Sequence, residues 1–324
     1  MTKKSFFANK YILVTGASGL LGSWLIEELL NQNAEVTGIS LDSSKDALMK
    51  SKNILDKIEN YHIDISKYDE LEKIVTKKKY SIIFHLAAQT QVTDALKNPL
   101  NTLKSNVEGT WNLLEICRLN NLSIVSASSD KAYGESSNLP YLETHPLNGV
   151  YPYEVSKSAS DLISTMYKTT YDLNVATLRC GNIYGGGDLN WDRLIPGMIE
   201  CFLKNKTPIL RTSGDFIREW VYVKDVANAY IKTAISLLER KNSFTSYNFS
   251  SGDSKTVMEI YEKISKAVTG EIIEPKIELD SDFEIKNQEL DSERIKLDLG
   301  IESEFNFDDS IKETIDWYRS YFKS

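Results

Sequence analysis

Tyr153 and Lys157 stand four residues apart in Tyr151-Pro-Tyr-Glu-Val-Ser-Lys157, where Pro152 suits the first turn of a helix. Residues at i and i+4 project from one helical face, so an ammonium would lie beside a phenol. A neighbouring cation favours the phenolate and makes it a general base. Upstream, Ser126-Ala-Ser-Ser-Asp-Lys-Ala-Tyr-Gly134 ends a strand-like run in hydroxyls and an acid–amine couple, Asp130 and Lys131. A Tyr-x-x-x-Lys pair alone arises often by chance and gains its weight from such company. A third stretch, Gly16-Ala-Ser-Gly-Leu-Leu-Gly22, follows the apolar run Tyr11-Ile-Leu-Val-Thr15 and opens an amphipathic helix. Closely spaced glycines permit a tight turn and close backbone approach, and a helix N-terminus offers free N–H groups to a pyrophosphate. The spacing is G-x-x-G-x-x-G rather than G-x-G-x-x-G. By itself it also reads as a plain strand–helix turn.

The elements that must position these residues alternate. Strand-like runs lie near 11–15, 34–40, 61–63, 81–86, 122–128 and 175–179, with helical patterns at 69–78, 100–119 and 152–171. Alternation of this kind predicts right-handed crossovers and an α/β fold with a doubly wound, parallel Rossmann-type sheet. Ligands then sit beyond the C-terminal strand ends. After the second strand, Ser40 marks the strand end and Asp42 lies just beyond, with no Arg near. A carboxylate there accepts from an adenosine ribose, which favours NAD over NADP; Asp42 is equally readable as an ordinary loop carboxylate. Residues 43–60 are Lys- and Ser-rich and read as an exposed insert or loose helix. Asp64-Ile65 closes the third strand and His85-Leu-Ala-Ala-Gln89 the fourth, either as cofactor walls or as simple strand-end packing.

Beyond Arg179, three consecutive glycines (Gly185 to Gly187) stand among Asn182, Asp188 and Arg193. This reads as a ligand-facing crossover into a second lobe or as a flexible linker. Arg211, Arg218 and Lys224 are candidate partners for substrate phosphates, and Trp220 is either core or pocket wall. A helix over 225–238 returns to the first domain, so that 1–182 plus about 220–250 forms the NAD-binding domain and 183–324 a smaller, interleaved substrate lobe. Ser246–Phe249 reads as a strand and 256–268 as a helix. Residues 271–289 are acidic and irregular, and short helices follow at 291–299, stopped by Gly300, and at 310–321.

Bulk properties narrow the class. A chain of 324 residues with 41% hydrophobic content can bury a sizeable core. Its net charge of −8 argues against a nucleic-acid or anionic-membrane partner, though not against a local basic pocket. No apolar run approaches the roughly 18 residues of a membrane span, and the N-terminal stretch lacks a signal-peptide pattern. Three cysteines and three histidines lack disulfide or metal spacing. The expectation is a cytoplasmic protein without a metal.

With the glycine turn, the hydroxyl strand end and the Tyr153/Lys157 pair in hand, the chain resembles the extended short-chain dehydrogenase/reductase superfamily over essentially its whole length. Within it the nearest likeness is to the CDP-glucose 4,6-dehydratases. Gly22-Ser-Trp-Leu25, Glu35-Val-Thr-Gly-Ile-Ser-Leu-Asp42, Phe84-His-Leu-Ala-Ala-Gln89, Ser129-Asp-Lys131 and Asp192-Arg-Leu-Ile-Pro196 carry it. The resemblance implies a nucleotide-diphosphate-sugar substrate and a reaction without net redox change. Tyr153 would take the C4 hydroxyl proton while the C4 hydride passes to NAD, with Lys157 tuning Tyr153 and Ser129 bonding the C4 oxygen. Asp130 would protonate the departing C6 hydroxyl and Lys131 remove the C5 proton, which separates dehydratases from sugar 4-epimerases. A lysine free in water has a pKa of about 10.4 and must be desolvated or near another cation to act as base; otherwise it ion-pairs with Asp130.

By position the cofactor contacts would be Gly16, Ser18, Gly19, Leu20, Leu21, Gly22, Asp42, Asp64, Ile65, Leu86, Ala87, Ala88, Gln89 and Asn106, with Tyr153 and Lys157. Gln89, Asn182, Arg193 and Arg218 would meet substrate. Homodimers packed through 100–119 and Pro152–Tyr171 are also implied. Ser129 departs from the usual Thr, keeping the hydroxyl but losing a methyl.

Overall fold

The computed structural model describes residues 5–241, 244–279 and 284–323. In chain order its strands are β1 (Tyr11–Thr15), β2 (Glu35–Ser40), β3 (Glu59–His62), β4 (Ile82–His85), β5 (Ile124–Ser129), β6 (Val175–Cys180), β7 (Asn182–Tyr184), β8 (Ile209–Leu210), β9 (Ile217–Tyr222), β10 (Ser246–Phe249), β11 (Ser254–Thr256) and β12 (Lys276–Ile277). Seven of them form one parallel sheet in the order β10-β6-β5-β4-β1-β2-β3. The order reverses between β1 and β4, whose residues pair from Ile12↔Ile82 to Thr15↔His85. That reversal opens a crevice at the C-terminal strand ends, the expected place for a ligand.

The helices are α1 (Leu20–Asn31), α2 (Ala47–Ser51), α3 (Tyr68–Val75), α4 (Val92–Lys97), α5 (Pro99–Leu103), α6 (Gly109–Leu119), α7 (Pro152–Tyr171), α8 (Leu194–Leu203), α9 (Val223–Leu238), α10 (Val257–Thr269), α11 (Glu293–Leu299) and α12 (Phe307–Tyr321). Central strands are apolar on both faces because both are covered. Ile12 and Val14 of β1 join one core with Leu25, Ile26 and Leu29 of α1 and Tyr230 of α9. Leu13 between them points the other way, into a core with Leu71 of α3 and Leu113 and Ile116 of α6. A third core gathers Ile199, Phe202, Tyr261, Ile264, Ile315 and Tyr318 from α8, α10 and α12. It adjoins the small β11-β9-β7 sheet. After that sheet's β9 the chain returns to the large sheet, where α9 packs on α1 and β10 pairs with β6.

Two expectations change. Residues 43–60 hold a short helix, α2, as the second reading had it, but are not an exposed insert: Leu48, Met49 and Ile54 are buried, and Met49 and Ile54 belong to the first core. Three apolar side chains scattered among lysines carry no clear period, so only packing reveals the buried face. The helical pattern at 100–119 is also interrupted, because Lys104–Glu108 is a π-helical turn between α5 and α6. Such turns insert a residue into the helix and concentrate at functional sites. Here the turn delivers Asn106, 2% exposed, toward the end of β4.

Replacing Ile54 by Ala should lower the unfolding free energy by about 2–5 kcal/mol, the cost of a buried large-to-small change. A urea titration followed by circular dichroism measures it.

Candidate active site

At the crevice, Gly16 takes φ +71°, and a Cβ there would meet Ala87 N at 2.7 Å and Leu86 C at 2.8 Å. The turn after β1 thus lies directly on the backbone leaving β4. A Cβ on Gly22 would meet Gly16 O at 2.1 Å, so α1 begins tight against the same turn. Gly19 caps α1 without a side-chain hydrogen bond, and no acidic residue stands in the first turn. The helix therefore presents uncovered N–H groups and its positive dipole end to the crevice. This cradle fits a dinucleotide pyrophosphate.

The crevice widens into a cleft of about 1850 Å³, about twice the upper end of an ordinary small-molecule site of roughly 300–1,000 Å³. Gly16, Ser18, Gly19, Leu20, Leu21 and Gly22 line it, as do Asp64, Ile65, Leu86, Ala87, Ala88 and Gln89. Two expected contacts do not. Asp42 caps the turn at Ser43–Lys45 by accepting from Ser44 N at 2.8 Å, and Ser40 and Ser44 face the cleft in its place. Asn106 is a brace: its side chain accepts from Gln89 N at 2.7 Å and donates to Gln89 O and Ser156 Oγ, both at 2.9 Å. It pins the end of β4 to α7. His85 is likewise structural. Its ring sits between the Thr15 and Thr110 hydroxyls, and burial lowers its pKa to about 3.

Ser129, Asp130, Lys131, Tyr153 and Lys157 all line this cleft. The structure brings them together because β5 ends at Ser129 and α7 starts with Pro152 at its first turn. Ser129 Oγ donates to Asp130 Oδ1 at 2.9 Å. Lys131 makes no ion pair with Asp130; its ammonium donates to Gln288 Oε1 at 2.8 Å. Burial lowers the Lys131 pKa, and the Arg218 cation adds to that against the pull of Asp130.

The Tyr153/Lys157 pair behaves differently from its helical spacing. Lys157 Nζ donates to Ala127 O at 3.0 Å, and burial lowers its pKa to about 8. Burial, then the Asp130 charge, pushes Tyr153 up to about 12, with Arg193 and the Ser129 hydroxyl pulling it down. Sharing a helical face does not by itself activate the phenol.

Asn182, Arg193, Arg211, Arg218 and Trp220 also line the cleft. Arg193 reaches from Asp188 (3.0 Å) to Thr90 Oγ1 (2.9 Å), and Arg218 is held by the carbonyls of Ile217 and Lys286, both at 2.9 Å. Lys224 does not join them; it is spent on Glu313 beside the Trp24 ring. Ten buried side-chain polar atoms lack a partner among the described residues. Four of them, Ser128 Oγ, Asp130 Oδ2, Asn182 Nδ2 and Trp220 Nε1, line this one cleft. Unsatisfied buried groups are costly, and such a concentration marks a place built for a polar ligand.

The sequence pattern of the NAD dependent epimerase/dehydratase family matches residues 12–248. The chain belongs to that family. It is 29% identical to the CDP-glucose 4,6-dehydratase of Salmonella typhimurium over all of this chain and 94% of that protein. It is 33% identical to a putative UDP-glucose 4-epimerase of Methanocaldococcus jannaschii, over 95% of this chain and 98% of that one. Among solved structures, a dTDP-glucose 4,6-dehydratase from Bacillus anthracis in complex with NAD superimposes with a TM-score of 0.84 at 26% identity, covering 97% and 98% of the two chains. NAD is the cofactor of this family.

Sequence reasoning did not single out Ser44 and Ser128, which line the cleft, or Gln288, which accepts from Lys131. Ser128 carried a signal, lying in the hydroxyl-rich strand end, whereas Gln288 is 157 residues from the lysine it holds and carried none.

Gly16→Ala should weaken NAD binding at least about tenfold, because a left-handed conformation costs an L-residue roughly 1–2 kcal/mol before the collision with Ala87 is counted. Isothermal titration calorimetry checks this.

Proposed function

We propose that this protein is a nucleotide-diphosphate-sugar 4,6-dehydratase, with chemistry most like that of CDP-glucose 4,6-dehydratase. The observation that carries the reading is the Asp130–Lys131 couple. A buried carboxylate with one unpartnered oxygen and a lysine of lowered pKa stand in one cleft with Ser129, Tyr153 and Lys157. A 4-epimerase has no use for a second acid and base.

When bound, NAD supplies the acceptor for hydrogen leaving C4 and the donor for C6, and its positive ring favours the phenolate. Residues 16–22 would hold its pyrophosphate, and Ser40, Ser44 and Asp64 would face its adenosine end. Tyr153 takes the C4 hydroxyl proton while Ser129 bonds the same oxygen. Once C4 is a ketone, the C5 proton is acidic. Lys131 in its neutral form removes it, and Asp130, which enters this step protonated, gives its proton to the C6 hydroxyl, which leaves as water. Lys157, fixed on Ala127 O, steadies the floor beside Tyr153. Asn182, Arg193 and Arg218 bind the diphosphate and supply local positive charge on an otherwise acidic protein.

On this reading 1–182 with about 220–250 holds the cofactor, and the rest of 183–324 the sugar nucleotide. The return of α9 and β10 to the large sheet supports that division. Leu100, Leu103, Trp111, Val155, Leu162 and Met166 are exposed on the π-interrupted helix and α7. An apolar stripe of this kind fits a homodimer face. No helix among the described residues is long and apolar enough to cross a membrane, and Cys117, Cys180 and Cys201 are free. A cytoplasmic location accords with both.

Incubation with a panel of nucleotide-hexoses should yield a product lighter by one water in the mass spectrum. Equal-mass C4 epimers would instead favour the epimerase reading, which the M. jannaschii relative keeps in view. Tyr153→Phe should slow C4 oxidation by about 10²–10⁴-fold, the usual worth of a general base. Asp130→Asn should leave C4 oxidation intact, visible as reduced cofactor by absorbance, yet release no water. Leu162→Glu should shift the particle mass to that of a monomer by light scattering.

A further inference from the structure

Lys131 meets an amide where a carboxylate is the commoner partner. Gln288, which accepts from its ammonium, is 0% exposed and lies in a segment stitched from both sides. Ile217 N donates to Lys286 O at 3.2 Å, and Gln288 N donates back to Ile217 O at 3.1 Å. On the other edge Tyr141 N donates to Glu289 O at 2.7 Å, and Asp291 N to Tyr141 O at 3.0 Å. Tyr141 itself stacks on Tyr133, centroids 4.7 Å apart and planes within 8°. The Gln288 backbone is therefore fixed, and its side chain reaches Lys131 from a rigid base.

The charges around Lys131 come from four directions. Asp130 beside it, Glu284 on the loop leading into the segment and Glu154 on α7 all favour the ammonium. Arg218 on β9 opposes it, and burial opposes it most. A carboxylate in direct contact would add a further stabilisation of the charged form. An amide carbonyl adds only the smaller stabilisation of an ion–dipole hydrogen bond. An amine that has lost its third proton still keeps two N–H groups, one for the Gln288 carbonyl, and a lone pair to direct elsewhere.

We infer that Gln288 is the positioning residue for the C5 base: its neutral amide carbonyl aims the Lys131 amine without supplying a counter-charge that would keep it protonated. The inference rests on the dehydratase reading.

The test compares the wild-type enzyme with Gln288→Glu and Gln288→Met, each checked for fold by circular dichroism. Water loss is followed against pH, with uptake of solvent deuterium at C5 and appearance of reduced cofactor. An opposite charge at this distance raises a lysine pKa by about 1–3 units. The Glu variant should therefore lose water at least about tenfold more slowly at neutral pH and recover as pH rises, the acidic limb having moved up. The Met variant should be slower at every pH without that displacement. Both should oxidise C4 as the wild type does, and both should take up less deuterium at neutral pH. Variants that keep the wild-type pH profile and deuterium uptake overturn the inference, as does a parallel loss of C4 oxidation, which marks a merely structural role. If the wild type itself releases no water from any nucleotide-hexose, the dehydratase reading fails first, and that control alone tells the two failures apart.

Discussion

Backbone lying on backbone, where the turn after β1 meets the chain leaving β4, is the contact on which the site depends. Gly16 permits it through a positive φ and a missing Cβ, and Gly22 lets α1 start against the same turn. The consequence is geometric. With no side chain between them, the positive end of α1 and the Ala87–Ala88 stretch wall one crevice, and the π-helical turn bearing Asn106 braces its far side against α7. Tyr153 and Lys157 are thereby carried to the edge of a cofactor-sized groove.

Within the cleft, burial is the dominant electrostatic influence, and it acts oppositely on acids and bases. It raises the Tyr153 phenol and lowers the Lys157 and Lys131 ammoniums. Each of the three is thus drawn toward its neutral form. Asp130 holds a buried carboxylate oxygen that no protein donor among the described residues satisfies. A polar ligand in the cleft would give Asp130, Asn182 and Trp220 the partners that the protein does not supply.

The glycine turn, the strand–helix alternation and the Tyr153/Lys157 pair were legible because each is a local pattern with its own period or spacing. Strand ends fell within about two residues, the usual uncertainty where ladders fray. Asp42 shows the limit of proximity in sequence. It sits near the right place, but its carboxylate closes a short turn two residues on, a bond available to any Asp with that local backbone. Lys224 shows another limit, since a cation is claimed by whichever carboxylate folding brings nearest, here Glu313.

What the chain dictates alone is therefore the doubly wound sheet, the glycine turn and the polar groups at the end of β5 and the start of α7 that line the cleft. All are encoded within stretches short enough for backbone geometry to decide. Tertiary structure alone decided which polar groups remain unpartnered, that residues 43–60 bury Leu48, Met49 and Ile54, and that Lys131 rests on a neutral amide rather than on Asp130. Those outcomes depend on desolvation and on contacts between residues far apart in sequence, and neither quantity has a periodicity for the primary structure to display.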